Sequence, residues 1–130
     1  MEMHRTCADY FTEIESVANC LDFDEIMQLT DLFLQKLSNG NRIAFLGNGG
    51  SHAIADHAAC DFQKNAFEYV INNEKIATIV NLCSSPSILS ALSNDFGHEN
   101  AMAWLVESSL VRDDLLVAIS SSGESLNILN

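Results

Sequence analysis

Arg42-Ile43-Ala44-Phe45-Leu46-Gly47-Asn48-Gly49-Gly50-Ser51 runs a short apolar segment straight into a glycine-rich turn. From Ser51 the period changes, with Ile54, Ala55, Ala58 and Phe62 recurring at helical spacing, so the order is strand, tight turn, helix, the helix running through Phe62. The order recurs downstream. Ile76-Ala77-Thr78-Ile79-Val80 is a second apolar run rich in β-branched residues, followed by the polar turn Ser84-Ser85-Pro86 and a helical stretch from Ser87 to about Leu92. Leu115-Leu116-Val117-Ala118-Ile119 is a third, ending in a serine cluster.

Runs that are apolar throughout, rather than alternating, are what a parallel sheet covered on both faces requires, and helical segments separate them. The expected fold class is α/β, a doubly wound parallel sheet with flanking helices. Two helices precede the first strand. Cys7, Tyr10, Phe11, Ile14, Val17, Ala18 and Leu21 form one helical stripe, and the next helix opens on Asp22 with Glu25 three residues later and stops at Ser38-Asn39-Gly40. The segment from Asn65 to Lys75 reads as an irregular excursion. With 130 residues and no linker or repeat, residues 1–130 read as a single domain with an N-terminal helical extension over about 1–39. Three strands are few for this architecture, so the sheet is expected to be truncated on its C-terminal side.

A formal net charge of −12, with only 6 Lys and Arg residues, argues against nucleic acid or an anionic membrane as a partner. No apolar run reaches membrane-spanning length, and Glu2, Arg5 and Asp9 punctuate the N-terminus, so a cytoplasmic protein is expected. Cys7, Cys20, Cys60 and Cys83 include no Cys-x-x-Cys pair and read as reduced thiols.

Ligands of open parallel sheets sit outside the carboxyl ends of the strands. Those ends carry Gly47-Asn48-Gly49-Gly50-Ser51, Cys83-Ser84-Ser85 and Ser120-Ser121-Ser122-Gly123-Glu124-Ser125. Glycines admit a ligand close to the backbone, a helix N-terminus offers unpaired N–H groups, and serine hydroxyls add compact donors, a combination suited to a phosphate monoester. The dinucleotide fingerprint fails because His52 stands where its third glycine belongs, and no Gly-Lys-Ser/Thr occurs for a Walker loop. An ordinary tight turn competes for the glycines, and helix capping by Ser122 or Ser125 for the serines.

His57 and Asp61, four apart on the helix that follows Ser51, share a face on which Lys64 also lies. That pair suits proton transfer, a metal site, or a solvated salt bridge with Lys64. His52 reads as solvent-facing, His4 and His98 offer no useful geometry, and Ser93-Asn94-Asp95-Phe96-Gly97 has the composition of a turn or helix cap.

Taken together, Gly47-Asn48-Gly49-Gly50-Ser51, His57 with an acid four residues on, Asn94-Asp95-Phe96-Gly97, and Ile119-Ser120-Ser121-Ser122-Gly123-Glu124-Ser125-Leu126-Asn127 resemble phosphoheptose isomerases of the sugar isomerase (SIS) type, in that order. The resemblance covers about residues 39–130, and the leading helices match the family's N-terminal extension. It implies a flavodoxin-like SIS domain that converts sedoheptulose 7-phosphate into a D-glycero-D-manno-heptose 7-phosphate through an enediol, for surface polysaccharide such as lipopolysaccharide or capsule. It also implies that Asn48, Gly49, Gly50, Ser51, Asn94, Asp95, Ser120, Ser121, Ser122 and Ser125 contact the substrate. Asp61 takes the base position, where many members carry glutamate, and Ser121 stands where threonine is common. The family's catalytic histidine on a later helix has no counterpart here. Zinc, which some members bind, would use His57 and Asp61, and members form homotetramers whose sites draw on neighbouring subunits. The alternative from the same fold is a non-catalytic SIS protein that binds the replication initiator DnaA or senses a sugar phosphate.

Overall fold

The computed structural model describes residues 6–70 and 77–130, and side chains are described except at 67–70. Glu2, His4, Arg5 and Ile76, all noted in the sequence, and the part of the Asn65–Lys75 excursion beyond Val70, lie outside the described residues. The chain divides into two compact units, Met1–Leu32 and Phe33–Asn130.

In the first unit α1 spans Cys7–Ala18, ending a turn before the expected Leu21. Thr6 caps it: its hydroxyl oxygen accepts from the Asp9 N–H at 3.2 Å while Asp9 Oδ2 accepts from the Thr6 N–H at 2.9 Å. The Thr6 hydroxyl, which also donates to Asp9 Oδ2 at 2.7 Å, and then the Thr6 N–H hold the Asp9 carboxyl below its ordinary range. Asp22 opens α2 (Phe23–Asn39), its Oδ1 accepting from the N–H groups of Asp24 at 2.9 Å and Glu25 at 3.2 Å. The stop at Gly40 is as expected, with φ of +75°.

The second unit is built on a parallel sheet of order β2-β1-β3, with β1 at Arg42–Gly47, β2 at Thr78–Asn81 and β3 at Leu115–Ile119. Parity along β1 makes the fold doubly wound. Ile43 and Phe45 point into a core with Phe33 and Leu37 of α2, Ala55, Ala59 and Ala66 of α3 (Gly49–Val70), and Ile79. Leu46 points to the other face, into a core with Cys83, Met102 and Leu105. Phe33 and Phe45 of the first core lie against each other at a tilt, and the more exposed Phe62 stacks on both, with ring centroids 5.0 to 6.2 Å apart. Each such buried aromatic or branched aliphatic side chain contributes on the order of 1.5–3 kcal/mol relative to exposure.

The structure departs from the sequence reading at four places. Residues 65–70 continue α3 instead of forming an irregular excursion, because Ala66 is buried and Gln63 Oε1 accepts from the Ile79 N–H at 3.0 Å, tying the helix to β2. Ser93–Phe96 form the last turn of α4 (Pro86–Phe96), and Gly97, at φ of +86°, is its cap. A further helix, α5 (His98–Ser109), delimited by no clear sequence signal, buries Ala101, Met102 and Leu105 on the Leu46 face. Finally, β3 is not covered on both faces: Leu116 and Ala118 are exposed while Leu115, Val117 and Ile119 pack on the first core.

Candidate active site

Because β1 is central, its carboxyl end lies between those of β2 and β3, and Gly47 registers with Ile119. The glycine turn and the serine loop are therefore neighbours across one strand spacing. Gly47 sits where a Cβ would meet the backbone carbonyl carbon and oxygen of Ser51 at 2.7 Å, so the strand can enter α3 this tightly only with glycine. A Cβ at Gly49, Gly50 or Gly123 would meet nothing within 4 Å. Open space thus lies over the turn where the first N–H groups of α3 emerge, the arrangement that receives an anion.

The serine loop folds back on itself. Ser120 Oγ lies 3.4 Å from both Ser122 Oγ and Ser125 Oγ and accepts from the Gly123 N–H at 3.1 Å, while Ser122 Oγ accepts from the Glu124 N–H at 3.2 Å. Gly123 adopts φ of +66°, which turns the loop so that the three hydroxyls converge. Ser125 also precedes α6 (Leu126–Leu129), but its side chain makes no capping bond, so helix capping leaves that hydroxyl unexplained. Ser121 is exposed beside them.

At the end of β2, the buried Asn81 donates to Asp56 Oδ1 at 3.2 Å and accepts from the Cys83 N–H at 3.0 Å. Burial pushes the Cys83 thiol up from its ordinary value, with the Gly47 N–H pulling it partly back, so it stays protonated and unreactive. Cys7, Cys20 and Cys60 are free and exposed.

The remaining residues singled out in the sequence are placed elsewhere. Asn94 donates to Asp95 Oδ1 at 2.9 Å on the exposed last turn of α4, and among the described residues no hydrogen bond ties either to the glycine turn or the serine loop. His57 Nε2 lies 3.2 Å from Asp61 Oδ2, with side chains 80% and 55% exposed, and among the described residues Lys64 takes no part. The pair borders an open groove of about 520 Å³ lined by Ala53, Ile54, Ala58 and Phe62. Asp61 is ten residues along α3 from Ser51, an axial separation of about 15 Å. Two donors suit zinc in kind, but among the described residues no group of three His, Cys, Asp or Glu side chains could hold a metal ion.

The sequence gives Asn127 no role of its own and His98 no useful geometry, and the structure brings the two together. Asn127 and Asn48 exchange two amide hydrogen bonds at 2.9 and 2.8 Å, and Asn127 Nδ2 lies 3.2 Å from His98 Nε2. A polar residue between Leu126 and Ile128 was a visible signal; its partner, 79 positions away, was not.

An open parallel α/β sheet with a glycine turn and a convergent serine loop at adjacent strand ends defines a domain of the small-ligand-binding, doubly wound class. The chain belongs to the SIS-domain family, whose model matches residues 9–130. It is similar to phosphoheptose isomerase 2 of Campylobacter jejuni, 40% identical over 74% of this chain and 46% of that protein, and to phosphoheptose isomerase of Aliarcobacter butzleri, 30% identical over 94% of this chain and 64% of that protein. Among solved structures, phosphoheptose isomerase GmhA from Neisseria gonorrhoeae superimposes with a TM-score of 0.78 at 30% identity, over 94% of this chain and 62% of that one. The chain spans between about half and two thirds of the length of these relatives.

The space over Gly50 yields a direct prediction. Gly50→Ala is expected to fold with wild-type stability, because its Cβ meets nothing within 4 Å, yet to weaken anion binding by filling the approach to the α3 amides. Thermal melting and calorimetric titration with inorganic phosphate check the two halves; unweakened binding would remove the anion from this turn.

Proposed function

We propose that the protein is a phosphoheptose isomerase, interconverting sedoheptulose 7-phosphate and a D-glycero-D-manno-heptose 7-phosphate for surface polysaccharide synthesis in the cytoplasm. The observation that carries the proposal is the convergence of the Ser120, Ser122 and Ser125 hydroxyls beside the open glycine turn, in a chain whose relatives bear that name. With so few cations in the chain, hydroxyls and backbone N–H groups are the donors available to a phosphate dianion. No helix among the described residues is long and apolar enough to cross a membrane.

In this reading Ser51, Ser120, Ser121, Ser122 and Ser125, with the amides at Gly49 and Gly50, hold the phosphate. Asn48, Asn94 and Asp95 border the sugar, and Asp61 moves the proton between the two carbons of the enediol. The separation of about 15 Å along α3 between Ser51 and Asp61, and the open apolar groove beside Asp61, favour a site completed by a neighbouring copy in a homotetramer. Exposed apolar side chains at Tyr10, Phe11, Ile14 and Val17 of α1 supply further surface for self-association. His57 and Asp61 would supply two zinc ligands; the others would have to come from outside the described residues, and no step of the isomerisation is routed through the metal.

The decisive experiment is conversion of sedoheptulose 7-phosphate by the purified full-length protein, followed by NMR of the products. Binding without turnover would instead support the non-catalytic SIS reading, as a DnaA-binding or sugar-phosphate-sensing protein. Ser122→Ala should raise the dissociation constant for sedoheptulose 7-phosphate by about tenfold or more, since a hydrogen bond to a charged group is worth about 1.5–3 kcal/mol. An unchanged constant in isothermal titration would remove Ser122 from the phosphate site.

A further inference from the structure

We propose that Asn127, oriented by His98, is a positioning residue that clamps Asn48 and thereby sets the glycine turn against the serine loop; the proposal rests on the sugar-phosphate reading above.

The glycine turn has no apolar anchor of its own. Gly49 and Gly50 carry no side chains and space is open around their Cα atoms, so Asn48 is the residue of the turn whose side chain reaches into the protein. Both ends of its amide are engaged by Asn127: Asn48 Nδ2 donates to Asn127 Oδ1 at 2.9 Å, and Asn127 Nδ2 donates to Asn48 Oδ1 at 2.8 Å. A reciprocal amide pair fixes distance and orientation together, because neither group can rotate without breaking both bonds. Asn127 is 5% exposed and lies two residues after Ser125, on the segment that carries the hydroxyls. The clamp therefore joins the two walls of the phosphate site through side chains, beyond the backbone pairing of β1 with β3.

His98 bears on which way the Asn127 amide faces. Asn127 Nδ2 has two hydrogens and three neighbours: Asn48 Oδ1, His98 Nε2 at 3.2 Å and Met102 Sδ at 3.6 Å. A thioether is a weak acceptor, so in this arrangement the second hydrogen goes to His98 Nε2, which accepts it in the tautomer that carries the ring proton on Nδ1. Rotating the Asn127 amide by half a turn would set its oxygen against Asn48 Oδ1 unless Asn48 turned as well, and turning both would bring Asn127 Oδ1 to His98 Nε2, an arrangement that needs the other ring tautomer. The ring tautomer and the direction of the amide pair are thus coupled.

The test compares Asn127→Ala, His98→Leu and His98→Gln with the wild-type full-length protein. Asn127→Ala is expected to lower kcat/KM for sedoheptulose 7-phosphate by about 10- to 100-fold, mainly through KM, as displacement of a binding wall by an ångström does. The backbone amide resonances of Gly49, Gly50 and Gly123 should shift in the unliganded variant. His98→Leu, at a solvent-accessible position where folding is not at stake, should lose part of the same kcat/KM, and His98→Gln, which keeps an acceptor, should recover most of it. In the wild type, ring-nitrogen NMR shifts should show Nε2 unprotonated. A wild-type KM in Asn127→Ala, or equal losses in His98→Leu and His98→Gln, would overturn the clamp; if Asn127→Ala does not fold, the His98 pair decides. If the wild type does not turn over sedoheptulose 7-phosphate, the functional reading fails separately. The glycine amides then still decide the clamp, and unshifted resonances in Asn127→Ala would refute it.

Discussion

In the proposed isomerase, Asp61→Asn is expected to reduce isomerisation of sedoheptulose 7-phosphate by about 10²- to 10⁴-fold, the contribution of a positioned general base, while leaving the fold and the affinity for the sugar phosphate near wild type. Asparagine has the same shape but cannot take a proton at neutral pH. Stability should not change, because the only ion pair at stake among the described residues is His57 with Asp61, whose side chains are 80% and 55% exposed, and such pairs contribute little. Steady-state kinetics beside calorimetric binding separate the outcomes. Unimpaired kcat in Asp61→Asn would remove the proton-transfer role and leave the pair as a solvated helical bridge. Asp61→Glu serves as the companion variant: glutamate is common at this position in the family the chain resembles, and one added methylene should preserve turnover.

Gly47→Ala should fail in the opposite way, through the fold. Its Cβ would lie 2.7 Å from the backbone carbon and oxygen of Ser51 and 3.0 Å from the His52 nitrogen. These are main-chain atoms at the start of α3, so no rotamer change relieves the contact, and the central strand or the helix must move. The expected destabilisation is about 3 kcal/mol or more, at the upper end for overpacked sites. In urea the midpoint should fall with little change in slope. A midpoint equal to wild type would mean that the turn has slack that the geometry denies, and would weaken the assignment of Gly47 as the hinge between β1 and α3. Gly50→Ala, three residues along, is the control: the same added methyl group, in open space.

Much of the fold is legible in the residues alone. Arg42–Leu46 and Leu115–Ile119 are strands as expected, because short β-branched and aliphatic runs ending in glycine or serine leave few other options. Asp22 and Gly40 bound α2 for the reasons of capping chemistry that identify them in sequence. The features that are not legible depend on contacts far apart in the chain. Residues 65–70 look irregular until Ala66 and Gln63 are seen against the β2 side of the core. The helix from His98 to Ser109 has no sharp cap at its start, since Gly97 serves as C-cap to α4 and N-cap to α5 at once.

By itself, then, the sequence determined the class of fold and which donor groups stand at the strand ends. Periodicity and turn composition are local properties, legible from residue type alone. Tertiary structure decided which of those groups face one another. It brought Ser120, Ser122 and Ser125 to a common point and locked Asn48 to Asn127 across 79 residues. Hydrogen bonds act over about 3 Å of space and are indifferent to separation along the chain. A side chain such as Asn127 therefore shows its part only once the strands that carry it have been paired.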